Sequence, residues 1–154
     1  MGDTTKSIVY TEDAGNVALI RLTPRTTLTV EEAQAQYVPD GKASYIVNNS
    51  DINVDYDFRD SWTYDPSSGF GIDMTKAKNI HRNNIRARRA ELMPALDVEF
   101  MKAQESGENT SAIVAKKNAL RDAPANSAIE SCTTTDELVK QWDTTVLGTT
   151  IYGT

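Results

Sequence analysis

The chain holds one histidine and one cysteine, His81 and Cys132, the two side chains best suited to nucleophilic or acid–base chemistry near neutral pH. A cysteine attacks only as its thiolate, which an adjacent imidazole or a cationic setting must generate. Nothing in the spacing brings the pair together. His81 sits in a basic helical pattern with Asn84 and Ile85, not a carboxylate, at i+3 and i+4, whereas catalytic and metal-binding imidazoles need oriented partners. His81 is therefore expected to face solvent or to pack, and Cys132 to act as a small buried hydrophobe. A lone histidine also leaves no histidine-rich metal site.

Asp51-Ile52-Asn53-Val54-Asp55 fits the opening positions of a calcium loop. The fit fails at Tyr56, where glycine must turn the chain, and at Trp62, where a bidentate glutamate should close the shell. Phosphate-binding glycine loops, a serine elbow and a CxxC pair are missing, so neither a catalytic residue nor a cofactor is expected. Lys76, Lys78, Arg82, Arg86, Arg88 and Arg89 form a basic run with no acid before Glu91. Such a run could follow phosphates. The chain as a whole is acidic and no aromatic residue interleaves the run, so nucleic acid is not the expected partner. Arginine forks pair carboxylates bidentately, and the expected partners are Asp55, Asp57, Asp60 and Asp65 or an acidic patch on another protein.

The element that carries this run is the longest helical pattern, Met74 to Glu105. Ala77, Ile80, Ile85, Leu92, Leu96, Phe100 and Ala103 fall near one face and predict a buried stripe. Asp73 or Thr75 can cap its start, and Ser106-Gly107 supplies its stop. Pro94 lacks an N–H and crowds the Ala90 carbonyl, predicting a kink or break that costs about 3 kcal/mol relative to alanine.

Before this helix the patterns are short and β-rich. Ser7–Tyr10 and Val17–Leu22 flank a Gly/Asn/Asp turn, which predicts a hairpin. Thr29-Val30-Glu31-Glu32 is a capping box that opens a helix to about Gln36. Ser44–Val47 reads as a third strand. Ile52, Val54, Tyr56 and Phe58 alternate with acids, the period of an extended segment. Ser61–Tyr64 and Phe70–Ile72 flank a turn at 65–69. After Gly107, Asn109 or Thr110 caps a helix to Arg121 that Pro124 closes and that folds back on the long helix. A second capping box, Thr134 to Glu137, opens a helix carrying Leu138, Val139 and Trp142. From Asp143 the chain turns to Thr, Gly and β-branched residues. The expectation is an α+β protein: a small N-terminal antiparallel β-layer (1–73), a helical hairpin or bundle (74–142) and an extended C-terminal arm (143–154).

Composition sets the frame: 154 residues, 39% hydrophobic and 25% charged, suit one ordinary domain or two very small ones. The net charge of -6 is uneven, with 5 Lys/Arg against 12 Asp/Glu in 1–73 and 11 against 10 in 74–154. No apolar run approaches the roughly 20 residues that span a bilayer, and Met1 to Ser7 lacks the pattern of a secretory leader. The single cysteine allows no internal disulfide, consistent with synthesis in a reducing cytoplasm.

Five segments in order carry a likeness: Asp57-Phe58-Arg59-Asp60-Ser61-Trp62, Asp73–Arg82 with its "DM-x-KA-x-x-IHR" start, Ala95–Ala103, Lys116–Asp122 and Thr134–Leu138. Over roughly residues 7–142 the chain resembles small bacteriophage tail and tail-fibre-associated proteins. That resemblance implies a virion protein made in the bacterial host cytoplasm, present in several copies of a symmetric assembly. Its partners would be other tail or fibre proteins, with no membrane and no catalytic residue. A tail accessory or fibre adaptor is the first role it suggests; a tail-fibre assembly chaperone is the second. The chain departs from the group after Trp142, where Asp143 replaces the expected proline. Aromatic and arginine side chains dominate many interfaces, so Arg82, Arg86, Arg89, Trp62, Val146, Ile151 and Tyr152 are the candidate contact residues. For Trp62 the core of the small sheet is the competing place. In the adaptor role the arm would add a strand to a neighbour's sheet.

Overall fold

The computed structural model describes residues 2–153. It is an α+β protein that divides into two compact units, 1–73 and 74–154.

The first unit is built on a three-stranded antiparallel sheet of order β2-β1-β3, with β1 Lys6–Thr11, β2 Val17–Arg21 and β3 Ser44–Asn48. The central strand pairs Val9 with Leu19 on one side and Tyr45 on the other. Alternation along β1 sends Ile8 and Val9 to opposite faces, and both are fully buried because both faces are covered. Ile8 packs with Val30 and Ala33 of helix α1 (Val30–Tyr37), which opens on the expected reciprocal capping box of Thr29 and Glu32. Val9 packs with Val17 and Trp62 beneath a second hairpin, β4 Trp62–Asp65 and β5 Gly69–Ile72. The turn between them is closed by Asp65, whose Oδ1 accepts from the backbone N–H of Ser67 and Ser68.

The alternating segment 51–58 is not a strand. It forms two short 3-10 helices, 49–51 and 56–61, separated by a bend. Asp55 explains the difference: its side chain accepts from Asp57 N at 2.9 Å and its carbonyl from Phe58 N at 3.1 Å. An aspartate so placed offers the backbone a turn in competition with a ladder. Ile52, Val54 and Phe58 still point inward, but Tyr56 is half exposed.

In the second unit α2 runs unbroken from Met74 to Ser106. Pro94 does not divide it. Pro94 and Ala90 both lie on the exposed side, so the Ala90 carbonyl that loses its partner can be hydrated. Gly107, at φ 72°, ends the helix: Glu108 N donates to Ala103 O at 2.8 Å and Gly107 N to Gln104 O at 3.2 Å, a Schellman closure. Helix α3 (Ser111–Asp122) then packs back along α2, fastened by Lys117, which pairs with Asp97 at 2.6 Å and lies over the Phe100 ring. The stripe on α2 is only partly as expected. Ala77, Ile85 and Ala103 are buried and His81 joins them, while Ile80, Leu92, Leu96 and Phe100 are half-buried.

Three short helices complete the unit: α4 Ser127–Ser131, α5 Thr135–Val139 and α6 Thr144–Leu147. The cap of α5 is not reciprocal, since Thr134 accepts from Glu137 N but Glu137 reaches back to Thr133 N. The expected extended arm is also replaced. Asp143 caps α6 through Thr145 N and Val146 N, and Leu147 and Tyr152 are buried within the unit. Among the described residues no helix is long and apolar enough to cross a membrane.

Candidate functional site

Three residues of the basic run, Lys78, Arg88 and Arg89, serve the ends of other helices. Arg88 Nε donates to Leu147 O at 2.9 Å, Arg89 to Arg121 O at 3.3 Å, and Lys78 to Glu130 O at 2.7 Å. These carbonyls lie in the last turns of α6, α3 and α4, where backbone acceptors lack intrahelical donors and a cation favours the helix dipole. Arg82 pairs with the Glu130 carboxylate, holding that group below the usual carboxylate range mainly through its hydrogen bond. Arg88 also pairs with Glu91. Of the candidate contact residues, Arg82 and Arg89 are thus engaged within the second unit, and Arg86 is exposed and bonds Asn83. The acids expected to meet the run, Asp55, Asp57, Asp60 and Asp65, belong to the first unit, where Asp55 and Asp65 shape turns.

Trp62 and Tyr152 do not belong to an exposed contact surface. Trp62 is 1% exposed, its indole N–H donating to Asp55 O at 2.9 Å. Tyr152 is 6% exposed and lies against His81, rings stacked with centroids 5.6 Å apart, with Trp142 edge-on at 6.0 Å. Asn84 Nδ2 donates to the Tyr152 hydroxyl at 3.2 Å, and that hydroxyl lies 2.6 Å from His81 Nδ1, to which it can donate. The polar partner of His81 is seventy-one positions away, beyond the reach of any spacing argument.

His81 is fully buried, and its Nε2 makes no hydrogen bond of regular geometry. Burial lowers its pKa from 6.5 to about 4, against a smaller opposing effect of the Gln141 carbonyl and with a further push from Arg82. The unfolded chain therefore takes up this proton first. The contribution of neutral His81 to stability is fully present above pH 6.5 and is lost as pH falls through 4, a swing of about 3 kcal/mol. As the sole histidine, its imidazole proton resonance should titrate near pH 4 by NMR, and His81→Phe should remove this part of the acid sensitivity measured by denaturant unfolding. A midpoint near 6.5 in the folded chain would contradict this.

Cys132 is buried, as expected, and donates to Ala128 O at 3.2 Å. Burial, with Glu137 nearby, pushes the thiol pKa up, away from thiolate chemistry. Among the described residues no group of three or more His, Cys, Asp or Glu could hold a metal ion.

One concavity of this unit is instead apolar. A groove of about 570 Å³ runs along the helical unit, floored by Leu92, Ala95 and Leu96 of α2 and Ala115, Ala119 and Leu120 of α3, with Val146 of α6 as a wall. Glu99 and Lys116 lie at its border. Of the candidate contact residues only Val146 reaches it, and Ile151 is exposed elsewhere. Leu92 and Leu96 were legible as apolar, but the groove needs α6, whose position no local pattern gives. It can accept apolar side chains, and Glu99, Lys116 and Thr145 are the polar residues of its lining. No family model, curated protein or solved structure matches the chain.

Proposed function

We propose that the chain is a structural protein of a bacteriophage virion, a tail accessory or tail-fibre adaptor that works in several copies by protein–protein contact rather than by catalysis. The observation that carries the contact reading is the open apolar groove of the second unit, whose size and lining suit side chains of another protein. The resemblance of residues 7–142 to tail-associated proteins supplies the setting. The folded C-terminus removes the strand-donating arm from this reading, and the groove takes over as the site of contact. A tail-fibre assembly chaperone would use the same groove to cover an unfinished fibre and then leave. Mass spectrometry of purified mature particles separates the two. Presence at a fixed multiple of the tail symmetry is the expected result; absence overturns the adaptor and leaves the chaperone.

A further inference from the structure

The C-terminal segment of the helical unit is anchored by one side chain and turns on one glycine. Gly148 follows α6 with φ 75° and ψ -160°, a backbone conformation that belongs almost wholly to glycine. Beyond it Thr149, Ile151 and Gly153 are exposed, Thr150 is half-buried and Tyr152 is buried. Tyr152 stacks on the imidazole of His81, itself fully buried, with Trp142 edge-on. Before Gly148 the chain is held independently: Asp143 caps α6, Leu147 is buried, and its carbonyl accepts from Arg88.

The hydrogen bonds at the Tyr152 contact have a fixed polarity. Asn84 Nδ2 donates to the Tyr152 hydroxyl, which in turn donates to His81 Nδ1. Only a neutral imidazole has an acceptor there. A proton taken from solvent onto Nδ1 turns that acceptor into a donor, so the hydroxyl faces two donors, and Nε2 is already without a regular partner. The charges around the ring do not favour the cation. Arg82 of α2 repels it and the Gln141 carbonyl offsets this only in part, while Glu130 of α4 is exposed and paired with Arg82 and Lys78.

We infer that residues 149–153 are an acid-released latch: Tyr152 closes on His81 while the imidazole is neutral, and protonation frees the segment about Gly148 with the helices still folded. Once the segment lifts, His81 regains water and its ordinary basicity. Return from about 4 to 6.5 makes the open state bind the proton about 300-fold more tightly, which is the most that acid shifts the opening equilibrium. The latch is independent of the groove and of the adaptor role.

Two-dimensional amide NMR of the full chain, followed from neutral pH to about pH 3, tests this. The amides of residues 149–153 should collapse to narrow, random-coil positions with the midpoint of the His81 imidazole titration, while those of α2 and α3 stay dispersed. His81→Phe keeps an aromatic ring, removes the proton site, and should hold the segment in place through the same range. Tyr152→Phe takes the hydroxyl from Nδ1 and weakens the closed state, so its midpoint should rise by about half a unit to one unit. Four results would each overturn the latch: terminal amides that keep their positions while His81 titrates, a His81→Phe chain that releases its segment at the same pH, an unshifted midpoint in Tyr152→Phe, or helical amides lost together with the terminal ones.

Discussion

Removing residues 144–154 should unfold the helical unit, or leave it without fixed tertiary packing, although the segment ends the chain and reads as a loose β-prone tail. Leu147 is 1% exposed and Tyr152 6%, and losing two such side chains costs about 1.5–3 kcal/mol each. The truncation also strips partners from groups left behind. Trp142 Nε1 loses Gly148 O at 3.0 Å, Arg88 Nε loses Leu147 O, and the buried His81 and half-buried Asn84 lose the Tyr152 hydroxyl. A buried polar group left unpaired costs about 1–3 kcal/mol. The two side chains alone come to about 3–6 kcal/mol and the unpaired groups add to it, a loss comparable to the whole stability of a small unit.

The measurement is circular dichroism at 222 nm with thermal or urea unfolding of the truncated and full chains. Tyr152→Phe keeps the ring and deletes only the hydroxyl, so it should cost about 1–2 kcal/mol and leave the fold intact. In the full chain the same packing should make the bonds after Asp143 resistant to limited proteolysis. A truncated chain that retains the helical signal and the midpoint of the full chain would show that the segment merely rests on the surface.

What was legible in the sequence is what short-range chemistry determines. Thr29 and Glu32 announce α1, Gly107 the end of α2, and Asp65 with two serines a turn; each acts within a few residues, and each is found in place. The hairpin of β1 and β2 and the return of α3 follow from apolar runs and breaker residues in the same way. Residues 51–58 were misread because a period of two describes which side chains are buried, and a bent backbone held by Asp55 can bury the same ones. The tail was misread because β-branched composition is a weak bias, readily overridden by a few tertiary contacts. Tyr152 is held by His81 and Trp142, and neither pairing leaves a trace in local spacing. The arginines show a similar limit. Their charge is plain in the sequence, but their use on helix-terminal carbonyls depends on where α3, α4 and α6 come to rest.

Trp62→Ala should cost the first unit about 3–5 kcal/mol, the range for deleting a large aromatic from a packed core. The indole is the centre of the layer between the three-stranded sheet and the second hairpin. It meets Val9 and Val17 on the sheet, stands edge-on to Tyr56 at 4.8 Å and to Phe70 at 6.1 Å, and donates to Asp55 O. That last bond ties the 3-10 segment to β4, so the substitution removes both a packing centre and the clamp on 51–58. Among the described residues the first unit holds two small apolar clusters, and a loss of this size leaves it little stability. Trp62→Phe restores most of the ring but not the N–H, and should recover more than half of the loss. Urea unfolding followed by near-UV circular dichroism reads both. If Trp62 instead served a partner surface, Trp62→Ala would leave the unfolding midpoint unchanged while impairing assembly into particles, the reverse of the outcome its burial requires.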